Sequence, residues 1–159
     1  MTTWQKAFTA QAASDFVVYD RLTSSSFPSS HRLHYLQMWL EKLCKAYTPD
    51  ENFQKTHNVI GKIFPTIVKE HWRRIGFVQR PNSELVEQIR QLCREIDLLH
   101  PQVDDNGRRP DNVEYPWKGS SGAIEVPAAW KFPLVSRLYT NPGKVLLKAA
   151  VSLTSRPVY

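Results

Sequence analysis

The chain has 159 residues, a formal net charge of +6 and ordinary shares of apolar and charged residues. That length suits one domain, 1–159, with a real core, and argues against two full domains. No window approaches the roughly 18 consecutive apolar residues of a spanning helix, and the start, Met1-Thr2-Thr3-Trp4-Gln5-Lys6, lacks the apolar run of about 7–15 residues of a secretory signal. The expectation is a cytoplasmic protein with no membrane partner.

Periodicity predicts four main helices. The first covers about 3–23, where Trp4, Phe8, Ala12, Phe16, Tyr19 and Leu22 recur at three- and four-residue steps on one face. The serine-rich stretch Ser24-Ser25-Ser26-Phe27-Pro28-Ser29-Ser30 breaks it and offers hydroxyls to cap the next helix. That second helix is expected over about 30–47, with a stripe of Leu33, Leu36, Leu40, Leu43 and Tyr47 beside a strip of Tyr35, Trp39 and Ala46. Being apolar on two sides, it should be central and end at Thr48-Pro49-Asp50. A third helix, about 52–75, carries Val59, Ile60, Ile63, Phe64, Ile67, Val68, Trp72 and Ile75. Pro65 should kink or divide it, because proline removes a backbone donor and crowds the preceding turn. The fourth, about 82–99, has the cleanest stripe: Leu85, Ile89, Leu92, Ile96 and Leu99. Asn82 or Ser83 can cap it, Glu84 and Glu87 suit its positive end, and Pro101 stops it.

After Pro101 the character changes. Seven of the eleven prolines lie from there onward, and Asp104-Asp105-Asn106-Gly107, Arg109-Pro110-Asp111-Asn112 and Lys118-Gly119-Ser120-Ser121-Gly122 read as turns and loop. Tyr115, Trp117, Trp130 and Phe132 should hold this segment, about 101–159, against a core bundle of about 3–100. A short final helix is expected over about 142–153, from Val145, Leu146, Ala149 and Leu153. No strand pair is predicted. Cys44 and Cys93 fall among apolar helical positions, which reads as two reduced core thiols, a disulfide being the weaker alternative.

Motifs that would fix a chemistry are few. There is no phosphate-binding glycine loop, no paired CxxC, no HExxH and no Gly-x-Ser-x-Gly. His31 and His34 can share a helix face, but a structural zinc site needs about four ligands, so no metal and no cofactor is expected. From Val126 to Tyr159 there is no acid, whereas Lys131, Arg137, Lys144, Lys148 and Arg156 are present; such a basic end suits an anionic partner or a solvated surface. The remaining signal is Arg94 with His100. In a regular helix the two sit about 120° apart, with Arg94 pointing away from the apolar stripe. They converge only if the helix unwinds before Pro101 or if they meet a second copy of the chain. Read plainly, Arg90 and Arg94 are solvated charges exchanging weak pairs with Glu87 and Asp97, and His100 is a helix-end residue favoured by the dipole.

Three features together resemble the HEPN (higher eukaryotes and prokaryotes nucleotide-binding) domain family. Gln37-x-x-x-Glu41-Lys42-Leu43-x-Lys45-Ala46 looks like the second helix of such domains, and Thr56-His57-Asn58 like the Thr-His segment that often follows. Arg94 to His100 fits the family's ribonuclease motif, an arginine and a histidine separated by about four to six residues. The match spans about 5–118. It departs at Glu95, where active members commonly carry a small polar residue and an acid would repel phosphate. The resemblance implies an all-α, HEPN-like bundle with a proline-rich C-terminal segment, and a metal-independent endoribonuclease of the toxin or defence type acting as a homodimer on RNA. His100 would then be the acid or base and Arg94 the phosphate ligand, with Arg90, Arg137, Lys144 and Lys148 binding the RNA backbone. The alternative is a non-catalytic HEPN-like module that binds a cognate partner protein or nucleic acid, since fold does not guarantee activity.

Overall fold

The computed structural model describes residues 2–48, 57–101 and 112–156. The architecture is all-α. Helix α1 (Thr3–Thr23) opens on a capping box, in which the Thr2 hydroxyl accepts from the Gln5 N–H and the Gln5 side chain accepts from the Thr2 N–H. A short turn leads into α2 (Ser29–Tyr47), and the two helices pack along each other as a helical hairpin. Contrary to expectation, no serine hydroxyl caps α2; Pro28 occupies that position without a side-chain bond. The next helix, α3 (Ile60–Glu70), continues into turns over 71–76, so the third helix is shorter than its apolar stripe. Pro65 lies inside α3 without dividing it. The predicted onset near residue 52 and the stop at Pro49-Asp50 lie outside the described residues, as do the turns expected at 104–107 and 109–111.

Helix α4 (Ser83–Asp97) is capped by Asn82, whose Oδ1 accepts from the Leu85 N–H at 2.8 Å. It stops two residues earlier than its stripe suggested. The residue before a proline is biased away from helical backbone, and the Leu99 and His100 N–H groups turn back onto the Ile96 and Asp97 carbonyls. The returning chain is pinned by the Val113 N–H on the Leu99 carbonyl. A two-stranded hairpin then forms, which periodicity did not anticipate. Strand β1 (Trp117–Lys118) pairs antiparallel with β2 (Ile124–Glu125), Trp117 opposite Glu125, around a turn in which Gly122 takes a positive φ of 84°. A 3₁₀ turn (Pro127–Ala129), the short α5 (Pro133–Arg137) and α6 (Asn141–Ser155) complete the chain.

The core is where the stripes predicted it. Leu36, Leu40, Leu43, Ile89, Leu92 and Ile96 are buried together, with Leu85 half-buried at the edge. The final helix buries Val145, Leu146, Ala149 and Leu153. It is bonded to α2 by the Trp39 indole N–H on Thr154 Oγ1 (2.8 Å) and the Tyr47 hydroxyl on the Leu153 carbonyl (3.2 Å). Of the aromatics expected to pin the C-terminal segment, Trp117 and Phe132 are buried and Trp130 meets Trp117 edge to face at 5.5 Å, but Tyr115 is exposed. Trp4, expected on the α1 stripe, is also exposed, at 51%. Cys44 and Cys93 are free and fully buried, and burial pushes both thiols well above their ordinary range.

Candidate functional site

The second helix contributes a buried polar line beside its two apolar ones. Gln37, Glu41 and Lys45 recur every four residues, so they stand one above another on the same face, and all three are buried. The Lys45 ammonium donates to Glu41 Oε1 at 2.7 Å, and the Gln37 amide to Glu41 Oε2 at 2.8 Å. Burial alone would raise the Glu41 carboxyl, but the Lys45 bond and charge, with Lys42 and Gln37, outweigh it and hold the group below its ordinary value. The Glu41 carboxylate is therefore an ionised anchor beneath the surface.

Above it sit two imidazoles. His57 Nδ1 lies 3.4 Å from Glu41 Oε2, and the His57 ring stacks face to face on His100, with centroids 4.3 Å apart and planes 9° from parallel. His100 stands beyond the end of α4, not on it. Burial, then the neighbouring His57, lowers its pKa against the opposing pull of Glu114 and Glu41. Its imidazole is thus neutral near pH 7. Glu114 reaches this corner because buried Asn112 forms a side-chain turn, its Oδ1 accepting from the Glu114 and Tyr115 N–H groups at 3.0 and 2.7 Å. Glu114 Oε1 lies 3.6 Å from His34 Nδ1.

Arg94 occupies the neighbouring surface, where α3 crosses α4. A Cβ on Gly61 would fall 2.9 Å from Arg94 Cγ and 3.1 Å from an Asp97 oxygen, so only glycine permits this approach. Asp97 seals the crossing. Its carboxylate accepts from the Ile60 and Gly61 N–H groups at 3.0 and 2.7 Å, capping α3 from another helix. Burial still pushes the Asp97 carboxyl up to about 6, although the two backbone bonds pull it down. Arg94 is 56% exposed, as its angle off the stripe implied, and its guanidinium is 3.7 Å from Glu87. It lines a recess of about 630 Å³ with Asn58, Lys62, Arg90 and Asp97. Arg94 therefore faces this recess while His100 faces His57. The link between them is the dipeptide His57-Asn58: His57 stacks on His100, and Asn58 lines the recess with Arg94.

The other sequence candidates are scattered. Arg90 pairs with Glu87 at 3.2 Å and lines the Arg94 recess. Arg137 forms an ion pair with Glu95, which occupies one predicted RNA-binding cation and also neutralises the acid expected to repel phosphate. Lys148 lies 4.4 Å over the Phe77 ring, and Lys144 is exposed on the first turn of α6. Sequence reasoning did not single out His57, Glu41 or Glu114 as site residues. The four-residue repeat of Gln37, Glu41 and Lys45 was the available signal for the buried line. Among the described residues, no group of three or more His, Cys, Asp or Glu side chains is arranged to hold a metal ion. No family model, curated protein or solved structure matches this chain.

Proposed function

We propose that this protein is a HEPN-like, metal-independent endoribonuclease of the toxin or defence type that acts as a homodimer. The observation that carries the reading is the pair of stacked imidazoles anchored on Glu41 beside a recess containing Arg94, Arg90 and Lys62. Cleavage of RNA without a metal needs a base, an acid and a cation at the phosphate; the chain holds two stacked imidazoles, and the residue after one of them, Asn58, lines the recess that carries Arg94. His100, neutral near pH 7, accepts the proton of a ribose 2′-hydroxyl. The freed oxygen attacks the adjacent phosphorus, the bond to the 5′-oxygen breaks, and that oxygen takes a proton from an imidazolium. His57, against Glu41, is the second ring at hand. Arg94 carries the charge that builds on the phosphoryl oxygens. The products are a 2′,3′-cyclic phosphate and a 5′-hydroxyl. The pairing of Glu95 with Arg137 supports this reading, because it removes the charge that would repel phosphate.

The test is incubation of purified protein with a single-stranded RNA in EDTA, with product ends identified by mass. Cutting that leaves cyclic phosphates and falls by about 10²–10⁴ in both His100→Ala and Arg94→Ala is the expected result. One observation favours the rival reading, a non-catalytic module that binds a partner protein or nucleic acid: Arg94 pairs with Glu87 and turns toward a different surface from His100. Absence of cleavage in every condition, with tight binding of a partner protein, would decide for that rival.

A further inference from the structure

A second concavity, larger than the Arg94 recess, lies beside it, between the turns after α3 and the start of α4, and measures about 1030 Å³. Lys69, Arg73, Arg74, Arg80 and Arg90 line it, against two carboxylates, Glu70 and Glu87. Glu87 is already engaged by Arg90 and Arg94. Lys69, Arg73, Arg74 and Arg80 are exposed, and among the described residues they form no ion pair. Against the one remaining carboxylate, Glu70, these four cations leave the wall with a net positive charge, whose self-repulsion a polyanion removes.

Three further observations say which polyanion. Pro81 and Ser83 line the same wall, so the positive end of α4 opens into it beside the cations. His71, half-buried, adds a flat ring at the wall, while Trp72 beneath it is buried and stacked on Phe77 at 4.2 Å; a ring beside phosphate-binding cations is what a base stacks on in single-strand sites. Finally, Arg90 lines both recesses, so they adjoin at that side chain, and the second carries Arg94 and Asn58. A recess of about 1030 Å³ has room for a few nucleotides of one strand, whereas a duplex could only lie across its rim.

We infer that the Lys69–Arg73–Arg74–Arg80 recess binds the phosphodiester backbone of single-stranded RNA flanking the bond to be cut. The inference rests on the proposed nuclease function for the identity of the strand, but its test does not need cleavage. A fluorescent 12-nucleotide RNA with 2′-O-methyl sugars cannot be cut by the proposed route, and its binding is read by anisotropy across salt concentrations. Arg73→Ala, Arg74→Ala and Arg80→Ala should each weaken binding by about fivefold near 0.1 M salt, and each should reduce the salt slope by about 0.7. Arg21→Ala, which removes an exposed cation on α1, is the comparison and should change binding by less than twofold. Thermal melts establish that the variants are folded; Arg→Gln at the same positions serves where alanine is not. Three results overturn the inference: recess variants that bind like the parent, an equal loss in Arg21→Ala, or a 12-base-pair duplex that binds as tightly as the strand. Binding through the recess without any cutting keeps this inference and rejects the nuclease. Cutting that ignores the recess does the reverse.

Discussion

Glu41 is the residue on which the site stands. It is 3% exposed, yet charged, because Lys45, 5% exposed, and Gln37 satisfy it. Removing one partner of a buried pair leaves the other charge uncompensated, at a cost of about 3–5 kcal/mol. Glu41→Gln should therefore destabilise the protein by that order in urea melts at pH 7. A loss below about 1 kcal/mol would mean that water reaches Lys45. Asp97 makes a pH-dependent contribution of the opposite kind. Its folded pKa of about 6 lies above the ordinary value of 3.8, so between about pH 4 and pH 6 the folded state holds a proton that the unfolded state has released. Stability from this group is full below that window and declines as pH rises through it. The stability difference between wild type and Asp97→Asn should shift by about 3 kcal/mol across the window, in favour of the variant as pH rises. A flat difference would place the Asp97 pKa near its ordinary value. His100 works in the other direction: with its folded pKa lowered, it contributes stability that is lost as pH falls from the unfolded value toward the folded one.

At the scale of elements, the seam between α3 and α4 matters most, because it aims Arg94 and closes the floor of the recess. Gly61 sets its depth. Alanine there meets the Arg94 backbone as well as its side chain, at 3.3 Å from Cα. Overpacking of this kind costs about 1–3 kcal/mol, which exceeds the gain of up to about 1 kcal/mol from better helix propensity. Gly61→Ala should lower the melting temperature, and an unchanged melt would show that the seam has slack. Helices α1, α2, α4 and α6 were legible in the sequence because apolar residues repeat on one face and caps or prolines mark the ends. The end of α4 was not, since Leu99 continues the stripe after the backbone has left the helix at Asp97. That early stop is also why the angle expected between Arg94 and His100 in a regular helix does not apply. The hairpin at Trp117 and Glu125 was illegible for a simpler reason: strands of two residues show no alternation.

For the molecule as a whole, burial was easy to read and direction was not. Hydrophobic spacing says which side chains must leave water. It does not say which polar ones go with them, so the repeat of Gln37, Glu41 and Lys45 does not by itself show that tertiary packing covers all three. Nor does it bring Lys69, Arg73, Arg74 and Arg80 onto one wall with Arg90, because that depends on how the turns after α3 fold back. The proposed assembly belongs to this scale too. A homodimer should show a light-scattering mass of twice 18.4 kDa at micromolar concentration; a mass of one chain would count against a shared cleft.

The two buried thiols give the protein its own clock. Cys44 and Cys93 lie on the helices that bracket the core, and neither reacts with a disulfide reagent until the packing around it parts. Their labelling rate under native conditions therefore counts openings of α2 against α4 without a denaturant. A ligand bound only to the closed form slows that clock by the factor 1 + [L]/Kd. Adding an uncleavable RNA strand should then protect both thiols in proportion to its occupancy, so binding can be followed from inside the core with no label on either partner. Labelling that ignores saturating RNA would mean that the strand grips a surface which does not part when the core does.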